Sequence, residues 1–172
     1  MKKIIVYVLV VIAILISACK KKNDPAPLNN NEVNATVVIS PTSTITINAK
    51  GTKAKMACSI LGGGTFIEGT HDNGAAVYIN ISNPPALSCI TSPGTYNFSC
   101  EYRKNVADPN TPIWSNIPVN GGTITNRGSI TLTVANDHYG EGYFNAVSKC
   151  ASPGCAYGVD SVIITGTFKG SF

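Results

Sequence analysis

From Asn34 onward, apolar and polar residues alternate with period two, the mark of strands that bury one face and wet the other. Ala35–Ile39 and Thr44–Asn48 flank the turn Ser40-Pro41-Thr42. Lys53–Ile60 sets Ala54, Met56, Cys58 and Ile60 on one face, with Lys53, Lys55 and Ser59 on the other. Thr65–Thr70 and Ala76–Ser82 follow, joined through Asp72-Asn73-Gly74, where Asn-Gly predicts a tight type I′ hairpin turn. Thr95–Arg103 places Tyr96, Phe98, Cys100 and Tyr102 on a common face, and Ser129–Ala135 turns Ile130, Leu132 and Val134 inward. Thr123–Asn126, Gly142–Ser148 and Asp160–Phe172 complete the set, the last alternating Val162, Ile164 and Phe168 with Thr165, Thr167 and Lys169. Val106–Pro118, with three prolines and the sole tryptophan, Trp114, reads as a long loop or an irregular edge. About nine or ten short strands, punctuated by Gly, Pro and Asn, predict an all-β antiparallel sandwich, with a small β-barrel as the alternative.

The pattern ahead of this domain is different. Met1-Lys2-Lys3 is basic, and Ile4–Ile16 is an unbroken apolar run of 13 residues. A membrane-spanning helix needs roughly 17–25 such residues, so the run fits the hydrophobic core of an export signal. Ile16-Ser17-Ala18-Cys19 closes it with small residues and a cysteine, and resembles the bacterial lipobox. That resemblance implies removal of residues 1–18 and lipidation of Cys19 as the new N-terminus. Stable anchoring takes two acyl signals or more, which a diacylglyceryl group plus an amide-linked chain supplies. Lys20, Lys21 and Lys22 would then lie at the headgroups, each adding on the order of 1 kcal/mol against anionic lipid. Lys20 stands where an aspartate would retain an enteric lipoprotein at the inner membrane, so by that analogy the expected location is the outer membrane. Periplasmic face and cell surface are both open. Asn23–Val33, rich in Asn and Pro, has almost nothing to bury and reads as a flexible spacer. The chain thus divides into a signal (1–18), a lipidated cysteine and tether (19–33) and a single β domain (34–172).

Charge and cysteines narrow the partners. Eight Lys and Arg and nine acidic residues follow residue 22, so the body is near −1 despite a formal +4 for the whole chain. No basic stripe points to nucleic acid. With Cys19 given to lipid, Cys58, Cys89, Cys100, Cys150 and Cys155 remain, in an exported context where disulfides form. Cys150-Ala-Ser-Pro-Gly-Cys155 predicts a local bridge around Pro153-Gly154. Cys58 and Cys100 both fall on apolar strand faces, which allows a buried bridge between them that would leave Cys89 odd, while Cys89 could pair with either. Zinc needs paired Cys-x-x-Cys or Cys/His spacing; with that spacing missing, no metal or cofactor is expected.

Motifs for catalysis are sparse. His71-Asp72 and Asp137-His138 are the histidine sites, and a His–Asp dyad needs a nucleophile within reach, yet no Gly-x-Ser-x-Gly elbow presents one. His71 reads as a solvated turn residue, and Asp137, His138 and Glu141 as a polar turn rather than a metal site. Tyr78 points to the polar face of its strand and, with Trp114, is a candidate ligand contact, since exposed aromatics stack on sugars or anchor partners. The alternative for Trp114 is a cap over an open end of the core.

The succession Phe66-Ile-Glu-Gly69, Pro93-Gly-Thr-Tyr96, Gly121-Gly-Thr-Ile124, Gly142-Tyr-Phe-Asn-Ala146 and Ile164-Thr-Gly-Thr-Phe168 resembles uncharacterised Bacteroidota lipoproteins. In these a lipobox and polar tether precede a β domain ending in a Gly-Thr-Phe strand. The resemblance implies no activity and no catalytic residues. Within it, Asp160-Ser161-Val162 fits the Asp-Ser/Thr-hydrophobe pattern of O-glycosylation, at Ser161. The resulting expectation is a lipid-anchored, non-enzymatic binding or envelope protein with a glycan or protein partner. The alternatives are an exported polysaccharide hydrolase and a small barrel holding an apolar ligand.

Overall fold

The computed structural model describes residues 30–40, 42–59, 64–82, 89–116, 128–136, 138–151 and 161–172. Its strands are β1 (Glu32–Ser40), β2 (Ser43–Lys50), β3 (Ala54–Ser59), β4 (Gly64–Thr70), β5 (Ala76–Ser82) and β6 (Gly94–Tyr96). They continue with β7 (Phe98–Arg103), β8 (Ile113–Ser115), β9 (Gly128–Asn136), β10 (Tyr139–Cys150) and β11 (Ser161–Ser171), and a 3-10 turn, Gly51–Lys53, joins β2 to β3. The domain is all-β and antiparallel, as its alternating pattern predicts. The strands form one continuous sheet in the order β2-β1-β11-β10-β8-β7-β5-β4-β3, with β9 and β6 as a branch from β10. The path curls until its ends face each other in a nearly closed barrel: Gly69 of β4 lies against Val33 of β1, and Gly170 of β11 against Met56 of β3.

The interior follows from side-chain parity. Val33, Val37, Ile47, Ile81, Cys100, Tyr102, Ile130 and Ile164 are completely buried, and Ile79, Phe98, Phe144 and Phe168 nearly so. Each large apolar side chain removed from water contributes roughly 1.5–3 kcal/mol. The domain starts two residues before the expected Asn34. Val33 opposes Phe168 on one side and Ala49 on the other, so the last residue assigned to the spacer belongs to the core.

Four local expectations are corrected. The β4–β5 hairpin turns through His71–Ala75, and Gly74 alone takes a positive φ, of 85°, so the turn is not the two-residue type I′ form. His71 shapes it: its backbone exchanges bonds with Gly74 and Ala75, and its Nδ1 accepts from the Asn73 N–H at 3.1 Å. Val134 faces solvent. Glu141 opposes Val134 while Gly142 opposes Leu132, so Thr133 is an extra residue and the alternation flips beyond it. The stretch Thr95–Arg103 is two strands, because β6 pairs with β9 and β7 with β5 and β8. Trp114 is neither loop nor exposed contact. It sits in β8, nearly buried, with its ring 5.4 Å from that of Tyr102.

The cysteine pairing also differs. Cys58 bonds Cys89, with Cα atoms 5.4 Å apart, and Cys100 is a free, buried thiol. Cys58 opposes Thr65, which opposes Ile81, which opposes Phe98, so β3 and β7 are three strand spacings apart. That is about 14 Å along the sheet, beyond the roughly 4.4–6.8 Å a disulfide spans. Cys150 is disulfide-bonded; Cys155, named for the local bridge, lies outside the described residues.

The Cys58–Cys89 bond closes a separation of 31 residues, for which chain entropy gives about 3–4 kcal/mol. The double variant Cys58→Ala/Cys89→Ala should lose that much in urea denaturation; an unchanged midpoint would show that the bond constrains nothing.

Candidate functional site

Strands β3, β4, β5 and β7 lie side by side, and their register lines up their outward side chains in two rows. Lys55, Glu68, Tyr78 and Glu101 form one row, and Ala57, Phe66, Asn80 and Ser99 the next. Outward positions of β10 and β11 such as Tyr143, Thr165 and Lys169 are exposed. Here Phe66, Glu68, Tyr78, Asn80, Ser99, Glu101 and Arg103 are half-buried although they point away from the core. A groove of about 420 Å³ lies over this face. Ala57 and Ser99 flank the Phe66–Asn80 pair with short side chains, so the groove floor lies between low walls.

The groove's charges balance. Lys55 Nζ meets Glu68 Oε1 at 3.2 Å and Oε2 at 3.4 Å, and Thr70 Oγ1 donates to the same carboxylate at 3.2 Å. Arg103 Nε donates to Glu101, which holds the guanidinium 5.1 Å from the centroid of the Tyr78 ring. Exposed ion pairs of this kind contribute about 0–1 kcal/mol; their effect is to fix where donors and acceptors point. Burial, with the Glu68 charge beside it, pushes the Tyr78 phenol above its ordinary range. The Asn80 Oδ1 atom is sealed beside Gly64 and has no partner among the described residues.

Of the residues singled out in the sequence, Tyr78 lies in this groove and Trp114 does not. His71 is bound into its hairpin turn beside Asp72, which pairs with Lys53. His138 is exposed in the β9–β10 turn, its N–H bonded to Asn136 Oδ1 at 2.9 Å, and Glu141 lies on the outer face of β10. Asp137 lies outside the described residues, and among those described no three Cys, His, Asp or Glu side chains gather as metal ligands. Ser161 is exposed at the start of β11. Cys19 lies outside the described residues.

Phe66, Glu68, Glu101 and Arg103 were not expected at a site. Outward strand residues read as ordinary solvent-facing positions, and only the cross-strand register gathers these four at one groove.

The other half of the barrel presents a contrasting outer face. Glu141, Lys169, Glu32 and Lys50 form a cross-strand ladder of alternating charge over β10, β11, β1 and β2. Beside it run Tyr143, Thr167, Asn34 and Asn48, then Asn145, Thr165, Thr36 and Thr46. The next row, Val147, Ile163 and Val38, is apolar, with Val147 and Ile163 exposed. Lys169 Nζ meets Glu32 Oε2 at 3.1 Å, and Asn34 Nδ2 donates to Glu32 Oε1 at 3.0 Å. The Asn34 bond first, then those from Lys169 and Lys50, lowers the Glu32 carboxyl to about 2. The chain matches no family model, no curated protein and no solved structure.

A carboxyl depressed on folding stabilises above its ordinary value and loses that contribution as pH falls through the folded value. The urea midpoint should therefore fall between pH 4.5 and about 2 more steeply for the native chain than for Glu32→Gln. Parallel curves would remove Glu32 from the acid response.

Proposed function

We propose that the protein is an envelope lipoprotein, anchored through Cys19 at the outer membrane, whose β domain captures a ligand in the groove of β3, β4, β5 and β7. The observation that carries this reading is the groove itself. It holds the half-buried rings Phe66 and Tyr78 outside the core, surrounded by charged groups whose positions are fixed by mutual pairing. The run Ile4–Ile16 with Ser17-Ala18-Cys19 supports the anchor, and the Asn- and Pro-rich stretch after it supports a spacer that gives the groove reach.

The groove favours binding over hydrolysis. Glu68 and Glu101 stand either side of Tyr78, the arrangement a two-carboxylate glycosidase would start from. Each of these carboxylates is already engaged by a cation, Glu68 by Lys55 and Glu101 by Arg103, which suits them to hold a ligand's hydroxyls in place.

Cys19→Ala should move the protein from the membrane to the soluble fraction on ultracentrifugation; retention in the membrane refutes the anchor. For the groove, a benzophenone side chain placed at Ala57 should give saturable adducts in growing cells. The same probe at Thr165, exposed on the opposite half, should give none. Equal labelling at both positions, or none at Ala57, removes the groove as the binding site.

A further inference from the structure

We propose that the groove of β3, β4, β5 and β7 binds a neutral polysaccharide chain, with one sugar ring stacked on Phe66. The hydroxyls of the bound chain would bridge the Lys55–Glu68 pair on one side and Asn80 and Ser99 on the other. This rests on the groove being the binding site and adds the chemical class of its ligand.

Three features select that class. The groove's two cations and two anions are each already paired, Lys55 with Glu68 and Arg103 with Glu101. A charged ligand would meet a like charge beside every opposite one, whereas a neutral hydroxyl bonds to a carboxylate or an ammonium without that repulsion. Hydrogen bonds to charged groups are among the stronger ones, about 1.5–3 kcal/mol, so a ligand dense in hydroxyls gains most here.

The second feature is the pairing of ring and polar wall. Arg103 covers the Tyr78 ring, so stacking falls to Phe66, which lies in register between Ala57 and Asn80. A pyranose offers an apolar face of C–H groups to such a ring and a rim of hydroxyls to its surroundings. The Asn80 Oδ1 atom, without a partner among the described residues, becomes an acceptor for one of those hydroxyls once its amide rotates toward the groove.

The third is shape. About 420 Å³ is near the lower end of the roughly 300–1,000 Å³ of small-molecule sites. The groove lies on the outer surface of the sheet, with Lys55 and Ala57 exposed along one margin. A short stretch of a long chain fits this better than an enclosed metabolite.

The test uses the full chain purified in detergent, titrated by calorimetry with neutral hexasaccharides (glucan, mannan, galactan, chitin), with uronate hexasaccharides and with unrelated peptides. The expected result is binding to at least one neutral saccharide that changes less than about twofold between 0.05 and 0.5 M salt. Phe66→Leu keeps an apolar side chain but removes the ring, and should weaken that binding about tenfold or more with an unchanged melting temperature. Thr165→Ala should leave it intact. Uronate binding that collapses with salt would overturn the neutral class while keeping the groove. Peptide binding alone would overturn a sugar ligand of any kind. Silence across the saccharide panel with retained Ala57 adducts in cells sinks the sugar, and silence in both sinks the site with it. Shortened hexasaccharide products would show hydrolysis and overturn the binding-only reading.

Discussion

A buried peptide group without a hydrogen-bond partner costs as much as a lost bond, and in this sheet two asparagines answer that constraint. Where β1 begins, the Asn31 side chain accepts from the Ser171 N–H at 2.8 Å and donates to the Ser171 carbonyl at 3.4 Å, extending the β1–β11 ladder by one rung. Where β8 ends, Asn116 does the same for β7. Its Oδ1 accepts from the Cys100 N–H at 2.8 Å and its Nδ2 donates to the Phe98 carbonyl at 3.3 Å. Both amides are nearly buried. Gly170 has no side chain because the Asn31 amide occupies that space, with Oδ1 only 2.2 Å from where a Cβ would stand.

The second of these sits where the sheet forks. β10 pairs with β11 along one side, but on the other it meets β9 first and β8 only at Lys149 and Cys150. Ser148, wholly buried, donates to the Cys100 carbonyl at 3.3 Å, and the Asn116 N–H reaches the same oxygen at 3.1 Å. The branch of β9 and β6 is thereby held apart from the path through β8, β7, β5, β4 and β3. That path carries the groove lined by Phe66, Glu68, Tyr78 and Glu101, while β10, β11, β1 and β2 carry the charged ladder of the other half.

Much of the fold is legible in the chain because one-sided burial writes itself as alternation. Phe98, Cys100 and Tyr102 are set on one face by the sequence and are buried in the structure, as are Val162, Ile164 and Phe168. What escapes is set by single residues that carry no pattern. Thr133 shifts a register and turns Val134 outward, and Asn97 hands the chain from β6 to β7. The disulfide escapes for a related reason: alternation gives the face of Cys58 but not the neighbours of its strand. Tyr78 is recognisable as a polar-face aromatic, yet its companions Phe66, Glu68, Glu101 and Arg103 come together only through the β4–β5–β7 register. That register is a property of the whole sheet, which no local window contains.

The position of β1 has a mechanical meaning. It is held on both sides from Glu32 to Val38, by β11 and by β2, and the segment that precedes the domain enters at its first residue. Tension arriving along that segment is directed down the strand axis, across hydrogen bonds that lie perpendicular to it. The two ladders are then loaded together in shear, where many bonds must yield at once, instead of being unzipped singly from an edge. A strand paired on both sides resists tension along its axis better than an outermost strand, which can peel away.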